Sequence, residues 1–308
     1  MAAGDQRVFK QKIRSTQTLK KVFRAMEMIA ASRIGKAREK ALEGTPFTQA
    51  VSRAVAAVAS HAELDHPLLQ ERDDTKRVAV FVLTSDRGMA GAFAASVLRE
   101  AERTLSDLEE AGKEPILYVL GRRGISYFRY RGRQMVRTWE GHSDAPRSVT
   151  GGELANEIIQ RYLAAPEEGG ISEVFTISTR FISMVKQIVE VRRLLPIEVV
   201  EEEHPIGMDV VTDDGVAPGA FPLYEFEPDA DTVLNGLMPL YMRARMQSIL
   251  LHSAASELAS RQQAMHSAVD NAEELITDYT RLANAARQTE ITQEITEIVS
   301  GSDALAAS

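Results

Sequence analysis

Residues 240–300 read LYMRARMQSILLHSAASELASRQQAMHSAVDNAEELITDYTRLANAARQTEITQEITEIVS, with no glycine and no proline. Steps of four and three from Leu237 land on Tyr241, Ala244, Ser248, Leu251, Ala255, Leu258, Gln262, Met265, Val269, Ala272, Ile276, Tyr279, Ala283, Ala286 and Glu290, of which only Ser248, Gln262 and Glu290 are not apolar. A 3.5-residue repeat held over about eight heptads marks a left-handed coiled coil, in which a narrow apolar seam faces a partner helix. At ~1.5 Å per residue such a helix spans roughly 90 Å. Pro239 is tolerated in a first turn and Gly301 suits a left-handed C-terminal cap, so the two residues predict the helix ends. The Ala, Ser and Gln of the seam predict a slim, closely approaching partner. Beyond Ala286 the apolar residues are Ile291, Ile295 and Ile298, one residue out of step. The last turns are therefore expected to meet a different partner.

The partner helix is found at the other end of the chain. Residues 5–43 lack proline and, until Gly35, glycine; Phe9, Ile13, Phe23, Ala30, Ile34, Ala37 and Ala41 keep the same stepping. Within them, residues 25–31 (AMEMIAA) are apolar almost all round, which predicts cover on more than one side. Gly44-Thr45-Pro46 predicts a break, followed by a separate helix from Phe47 to His61 whose apolar face is Val51, Val55 and Val58.

Between the two rods the period changes. Val78 to Thr84 is a continuous apolar, β-branched run, the pattern of a strand buried on both faces of a parallel sheet. Helices are predicted at about Ala92 to Ala111, after Gly124, and at Gly152 to Ala165. Strands are predicted at Ile116 to Leu120, Met135 to Trp139, Glu173 to Ser178 and Gln187 to Val191, and a loop or ragged strands at Glu201 to Pro222. Alternating strands and helices make an α/β layer. The predicted fold is a long antiparallel coiled coil of the N- and C-terminal helices with an inserted Rossmann-like α/β domain. The predicted divisions are residues 1–61, 75–228 and 229–308. The C-terminal helix outruns its partner, so its Ile291 to Ile298 end is expected to project alone.

Composition restricts the chemistry. The 308 residues contain no cysteine, which excludes disulfides, thiolate zinc sites and thiol catalysis. Met1 to Arg7 has no apolar core of a signal peptide, and no apolar run approaches the ~18 residues of a membrane span. The formal net charge is −8, yet residues 7–40 carry eleven Lys and Arg against Glu27 and Glu39. That face is expected to meet something acidic. An acidic protein fits best. A nucleic-acid arm would bring exposed aromatics, whereas Phe9 and Phe23 lie in the seam; a membrane-surface helix would need its apolar face free for lipid; a solvated face is the plain alternative. Ser85 to Gly91 follows a buried strand and invites a phosphate-loop reading. It lacks the Lys-Ser/Thr of a nucleotide loop and the third glycine of a dinucleotide fingerprint, so a tight structural turn is the better reading. The six histidines form no metal-type pair, and the carboxylate pairs sit on surface-like stretches. No catalytic, cofactor or metal site is predicted.

Three stretches carry a resemblance along essentially the whole chain. Lys12 to Ala37, with AMEMIAASR at residues 25–33; TSDRGMAGAF at residues 84–93; and Arg287-Gln288 followed by ITQEITEIVSG at residues 291–301 together resemble the gamma-subunit family of F-type ATP synthases. Ala92 and Ala94 stand where that family often has Gly and Asn, and Ser302 where it usually has Ala. The resemblance implies a central rotor shaft without chemistry of its own: proton flow turns a membrane ring, and the coiled coil turns inside a hexameric head of alternating alpha and beta subunits. It implies one copy per complex, an epsilon subunit and the c-ring as further partners, no cofactor, and a location on the cytoplasmic face of the bacterial plasma membrane. It also implies partner-binding positions. Met26 and Arg261 correspond to shaft residues facing an acidic loop of the beta subunits, and Arg33 lies in the same signature. Arg287, Gln288 and Thr292 correspond to upper contacts with the head, and Phe226, Glu227 and Pro228 to the foot on the ring. A cysteine-free chain excludes the thiol switch of chloroplast members. Two other classes stay open on the residues alone: a nucleic-acid-binding arm and a structural coiled-coil dimer.

Overall fold

The computed structural model describes residues 2–61, 67–197 and 226–306. In chain order the elements are α1 (Ala2–His61), β1 (Arg77–Leu83), α2 (Phe93–Glu110), β2 (Glu114–Leu120), α3 (Arg122–Tyr130), β3 (Met135–Trp139), α4 (Ser148–Leu163), a single 3-10 turn (Pro166–Glu168), β4 (Glu173–Phe181), β5 (Gln187–Leu195) and α5 (Ala230–Ala306). The chain divides into two compact units, Met1–Ser32 with Arg261–Ser308, and Arg33–Ser260. The expected loop at residues 201–222 lies outside the described residues.

In the first unit α1 and α5 run antiparallel. The ring of Phe9 stacks on Tyr279 at 6.4 Å, and the Lys12 ammonium lies 5.9 and 5.3 Å from the two ring centres. Lys20 pairs with Glu273 at 2.6 Å, and Glu27 meets His266 at 3.0 Å. Partners descend along α5 as they ascend along α1. On α1 the covered positions Phe9, Ile13, Thr16, Lys20, Phe23, Met26 and Ala30 step by three and four; on α5 Met265, Val269, Ala272, Ile276, Tyr279 and Ala283 do the same. The exposed ion pairs add little, about 0–1 kcal/mol each, so the buried seam carries the pairing.

The second unit is built on a five-stranded sheet in the order β3-β2-β1-β4-β5. The first four strands are parallel and β5 is antiparallel to β4. Both faces are covered, which is why β1 reads as an unbroken apolar run. Val78, Val80, Val82, Leu117 and Val119 pack on Val97, Ala101 and Leu105 of α2 and on Ile125 and Phe128 of α3. Ala79, Phe81, Leu83, Tyr118 and Leu120 face the opposite layer: Val55 and Val58 of α1, Leu154, Ile158 and Tyr162 of α4, and Leu234, Met238, Met242 and Met246 of α5. Farther along, Ile34 and Ala37 meet Ala255, Leu258 and Ala259 with Phe181 alongside. The α/β layer and the paired terminal helices are thus those expected from the period.

Three expectations are corrected. Helix α1 does not break at Gly44-Thr45-Pro46; it continues with Pro46 inside it to His61. A proline in a helix interior costs ~3 kcal/mol through a lost hydrogen bond and a ring clash. Burial of Val51, Val55 and Val58, at roughly 1.5–3 kcal/mol each, outweighs that cost. Helix α5 starts at Ala230, well before Leu240, with Pro239 inside it. Asp229 caps it: the Thr232 amide and hydroxyl donate to the two carboxylate oxygens, each at 2.8 Å. These added turns are held by the Leu234, Met238, Met242 and Met246 stripe at steps of four. At the other end Gly301 does not cap the helix, which extends to Ala306. Met28 and Ile29, beyond the seam that a single partner helix covers, are 63 % and 54 % exposed. The second cover predicted for residues 25–31 does not come from the described residues.

Candidate partner interface

A doubly wound sheet binds ligands beyond the carboxyl ends of its strands, where the strand order reverses. Here that place follows β1, and the chain fills it with its own side chains. The Thr84 hydroxyl donates to the Leu120 carbonyl at 2.9 Å and accepts the Gly124 amide at 2.9 Å. The Arg123 amide donates to the Ser85 carbonyl at 3.0 Å. The Asp86 carboxylate accepts the amides of Arg122 (3.2 Å), Gly141 (2.9 Å) and Ser143 (2.9 Å), and the Asp86 amide donates to Ser143 Oγ at 2.8 Å. The amides of Arg122, which opens α3, Gly141 and Ser143 therefore already hold an anion, and it belongs to the chain. Ser85 to Gly91 is the clasp that ties the loops after β1, β2 and β3 together. The sequence located this turn but not the donors that fill it, because they lie 36 to 57 positions away.

Two expected results follow from the clasp. Gly121 has φ +98°, and a Cβ there would sit 2.2 Å from the Thr84 carbonyl oxygen. Gly121→Ala is expected to lose about 3 kcal/mol or more; an unchanged urea midpoint would contradict the tight approach of these two loops. Burial pushes the Asp86 carboxyl upward, but the amides of Gly141, Ser143 and Arg122 and the Ser143 hydroxyl hold it below the ordinary 3.8. A depressed carboxylate contributes stability that is present above the ordinary value and is lost as pH falls through the folded one. Asp86→Asn is thus expected to be less stable than the parent at about pH 7, with the gap narrowing toward about pH 3. A gap independent of pH, read from urea midpoints, would show that the charge is not what holds the loops.

The sequence-predicted partner residues fall in different places. Met26 is half-buried along the seam of the first unit, and Arg261 is 6 % exposed. Arg33 is exposed and pairs with Asp144 at 2.5 Å. Arg287, Gln288 and Thr292 are exposed on α5; the Thr292 hydroxyl donates to the Gln288 carbonyl at 2.9 Å, so these two share a face. Phe226 packs against the core below the sheet, whereas Glu227 and Pro228 are exposed just ahead of the Asp229 cap. After Glu290 every residue to Ser300 is exposed, Ile291, Ile295, Ile298 and Val299 included. Among the described residues, no helix is long and apolar enough to cross a membrane.

Known proteins share this arrangement. The family model described as ATP synthase matches residues 5–305. The ATP synthase gamma chain of Beutenbergia cavernae is 56 % identical over 306 residues, covering 99 % of this chain and 100 % of the relative. That of Acidothermus cellulolyticus is 49 % identical over 302 residues, covering 98 % and 97 %. A chain from the Euglena gracilis mitochondrial ATP synthase, OSCP/F1/c-ring in rotational state 3, has the same fold at TM-score 0.62 and 15 % identity, covering 99 % of this chain and 96 % of that one. A chain from the central stalk and c-ring of the Tetrahymena thermophila mitochondrial ATP synthase gives TM-score 0.56 at 20 % identity, covering 80 % and 99 %.

Proposed function

Because this chain belongs to the ATP synthase gamma-chain family, we propose that it is the central shaft of a rotary ATP synthase, carrying the rotation of a proton-driven membrane ring into conformational cycling of catalytic subunits that surround it. The observation that supports this most is the exposed C-terminal end of α5. A helix with Ile291, Ile295 and Ile298 on its surface is poorly stable in water by itself, and an apolar sleeve would cover it. The threonine hydroxyls beside those isoleucines are bonded within the helix: Thr289 to the Ala285 carbonyl (3.1 Å), Thr292 to Gln288 (2.9 Å) and Thr296 to Thr292 (2.8 Å). Those hydroxyls are therefore satisfied without a sleeve.

In this reading the alpha and beta subunits form the sleeve, and catalysis resides on them. The cationic face of α1 and the positions Met26, Arg33 and Arg261 meet acidic loops of the head; Arg287, Gln288 and Thr292 meet its upper part. Phe226, Glu227 and Pro228 belong to the foot, which sits with the epsilon subunit on the c-ring at the cytoplasmic face of a bacterial plasma membrane. Affinity purification of the tagged chain from native membranes tests this. One copy of the chain with alpha, beta, epsilon and c subunits is expected. A homodimer, or a nucleic-acid complex whose affinity falls steeply with salt, would overturn the reading.

A further inference from the structure

Residues 121–137, GRRGISYFRYRGRQMVR, hold six arginines and no acidic residue. Three are tied down locally. Arg122 pairs with Glu140 at 3.3 Å, Arg133 with Glu102 at 3.2 Å and Glu109 at 2.7 Å, and Arg137 with Glu157 at 2.8 Å. The other three, Arg123, Arg129 and Arg131, form no ion pair among the described residues. Helix α3 sets them on its outer side. Gly124, Ile125 and Phe128 face the sheet, Tyr127 lies partly buried at the edge of that cluster, and the opposite side carries Arg123 and Tyr130, continued by Arg131 in the cap. The Arg131 guanidinium lies 5.3 Å over the Tyr127 ring, and Tyr130 is 92 % exposed.

We propose that this outer face of α3 is a docking site for an acidic segment of another protein chain in the assembled complex, with carboxylates received by Arg123 and Arg131 and an apolar side chain packed on Tyr130. The proposal rests on the shaft reading only in placing the chain within a complex; its site lies outside the coiled coil. Charge selects the occupant. The neighbouring carboxylates Glu102, Glu109, Glu140 and Glu157 are already engaged by the tied arginines, which leaves the stripe uncompensated in a chain whose formal charge is −8. Residue type points to protein rather than lipid. Tyrosine and arginine are enriched at the anchors of protein interfaces. A membrane-surface helix needs bulky apolar side chains to insert, and here Ile125 and Phe128 are buried.

Photo-crosslinking in the native complex tests the proposal. With Tyr130 replaced by benzoylphenylalanine, illumination is expected to give an adduct with one other protein subunit, within a segment rich in Asp and Glu. The adduct yield is expected to fall about tenfold or more when Arg123→Glu and Arg131→Glu are combined, and substantially with the milder Arg123→Gln and Arg131→Gln pair, while the complex still assembles. An adduct with lipid or nucleic acid, no adduct, or a yield indifferent to both pairs in an assembled complex would overturn it. Failure of the unmodified chain to enter a complex would instead overturn the shaft reading.

Discussion

Leu258→Asp is expected to destabilise the chain by about 3–5 kcal/mol, the range for an unpaired charge left in a buried site. Leu258 is 1 % exposed, and its apolar cluster is Ile34, Ala37, Ala255 and Ala259 with Phe181 at the edge. Leu258→Ala separates the lost packing from the buried charge. Alone it is expected to cost ~2–4 kcal/mol, since Ala255 and Ala259 have little side chain with which to fill the space. Urea unfolding of both variants measures the difference. A loss below about 1 kcal/mol for the aspartate, the scale of surface changes, would place Leu258 outside the seam.

The other large effect lies at the far end of α5. In the free chain, residues after Ala286 are expected to exchange their amide hydrogens with almost no protection, because every position from Ile291 to Ser300 is exposed and a lone helix gains little without tertiary cover. In the assembled complex the same amides are expected to slow by about a hundredfold or more. Removing the chain after Ser300 is expected to leave assembly and most rotation in place. Removing it after Ala286 is expected to loosen the shaft and lower the protons moved per ATP. Equal protection in the free and assembled states would mean that the covering surface belongs to this chain.

The antiparallel pair was legible because burial follows spacing. A seam helix that meets one partner must repeat every 3.5 residues, so Met265, Val269 and Ala272 announce themselves without any knowledge of the partner. The sheet was legible for the same reason: Val78 to Leu83 is apolar throughout since both faces are covered, and Met135 to Trp139 has the bounds expected. What local sequence could not show depends on distant residues. Pro46 reads as a stop until the burial of Val51, Val55 and Val58 is counted against it. The Leu234, Met238, Met242 and Met246 stripe was a signal at steps of four, hidden by the competing seam through Leu237 and Tyr241 and by the stop reading of Pro239. Asp86 finds its donors at Arg122, Gly141 and Ser143, and three of the arginines around α3 find acceptors at Glu102, Glu109, Glu140 and Glu157; only the fold reveals which of them have no ion-pair partner among the described residues. Of the expected partner positions, Arg287, Gln288 and Thr292 are exposed as a contact surface requires. Arg261 is buried, so a partner would reach it only at its edge.

A shaft of this kind must turn within its sleeve. The chain contains no cysteine, and Val185, at the turn between β4 and β5, is 90 % exposed, so Val185→Cys supplies the one thiol on this chain for attaching a bead. With the alpha and beta subunits fixed to a surface and a bead attached to that cysteine, addition of ATP is expected to drive rotation in one direction, pausing as many times per turn as there are catalytic subunits. A bead that only fluctuates about one angle, in a complex that hydrolyses ATP at its normal rate, would show that the chain does not turn.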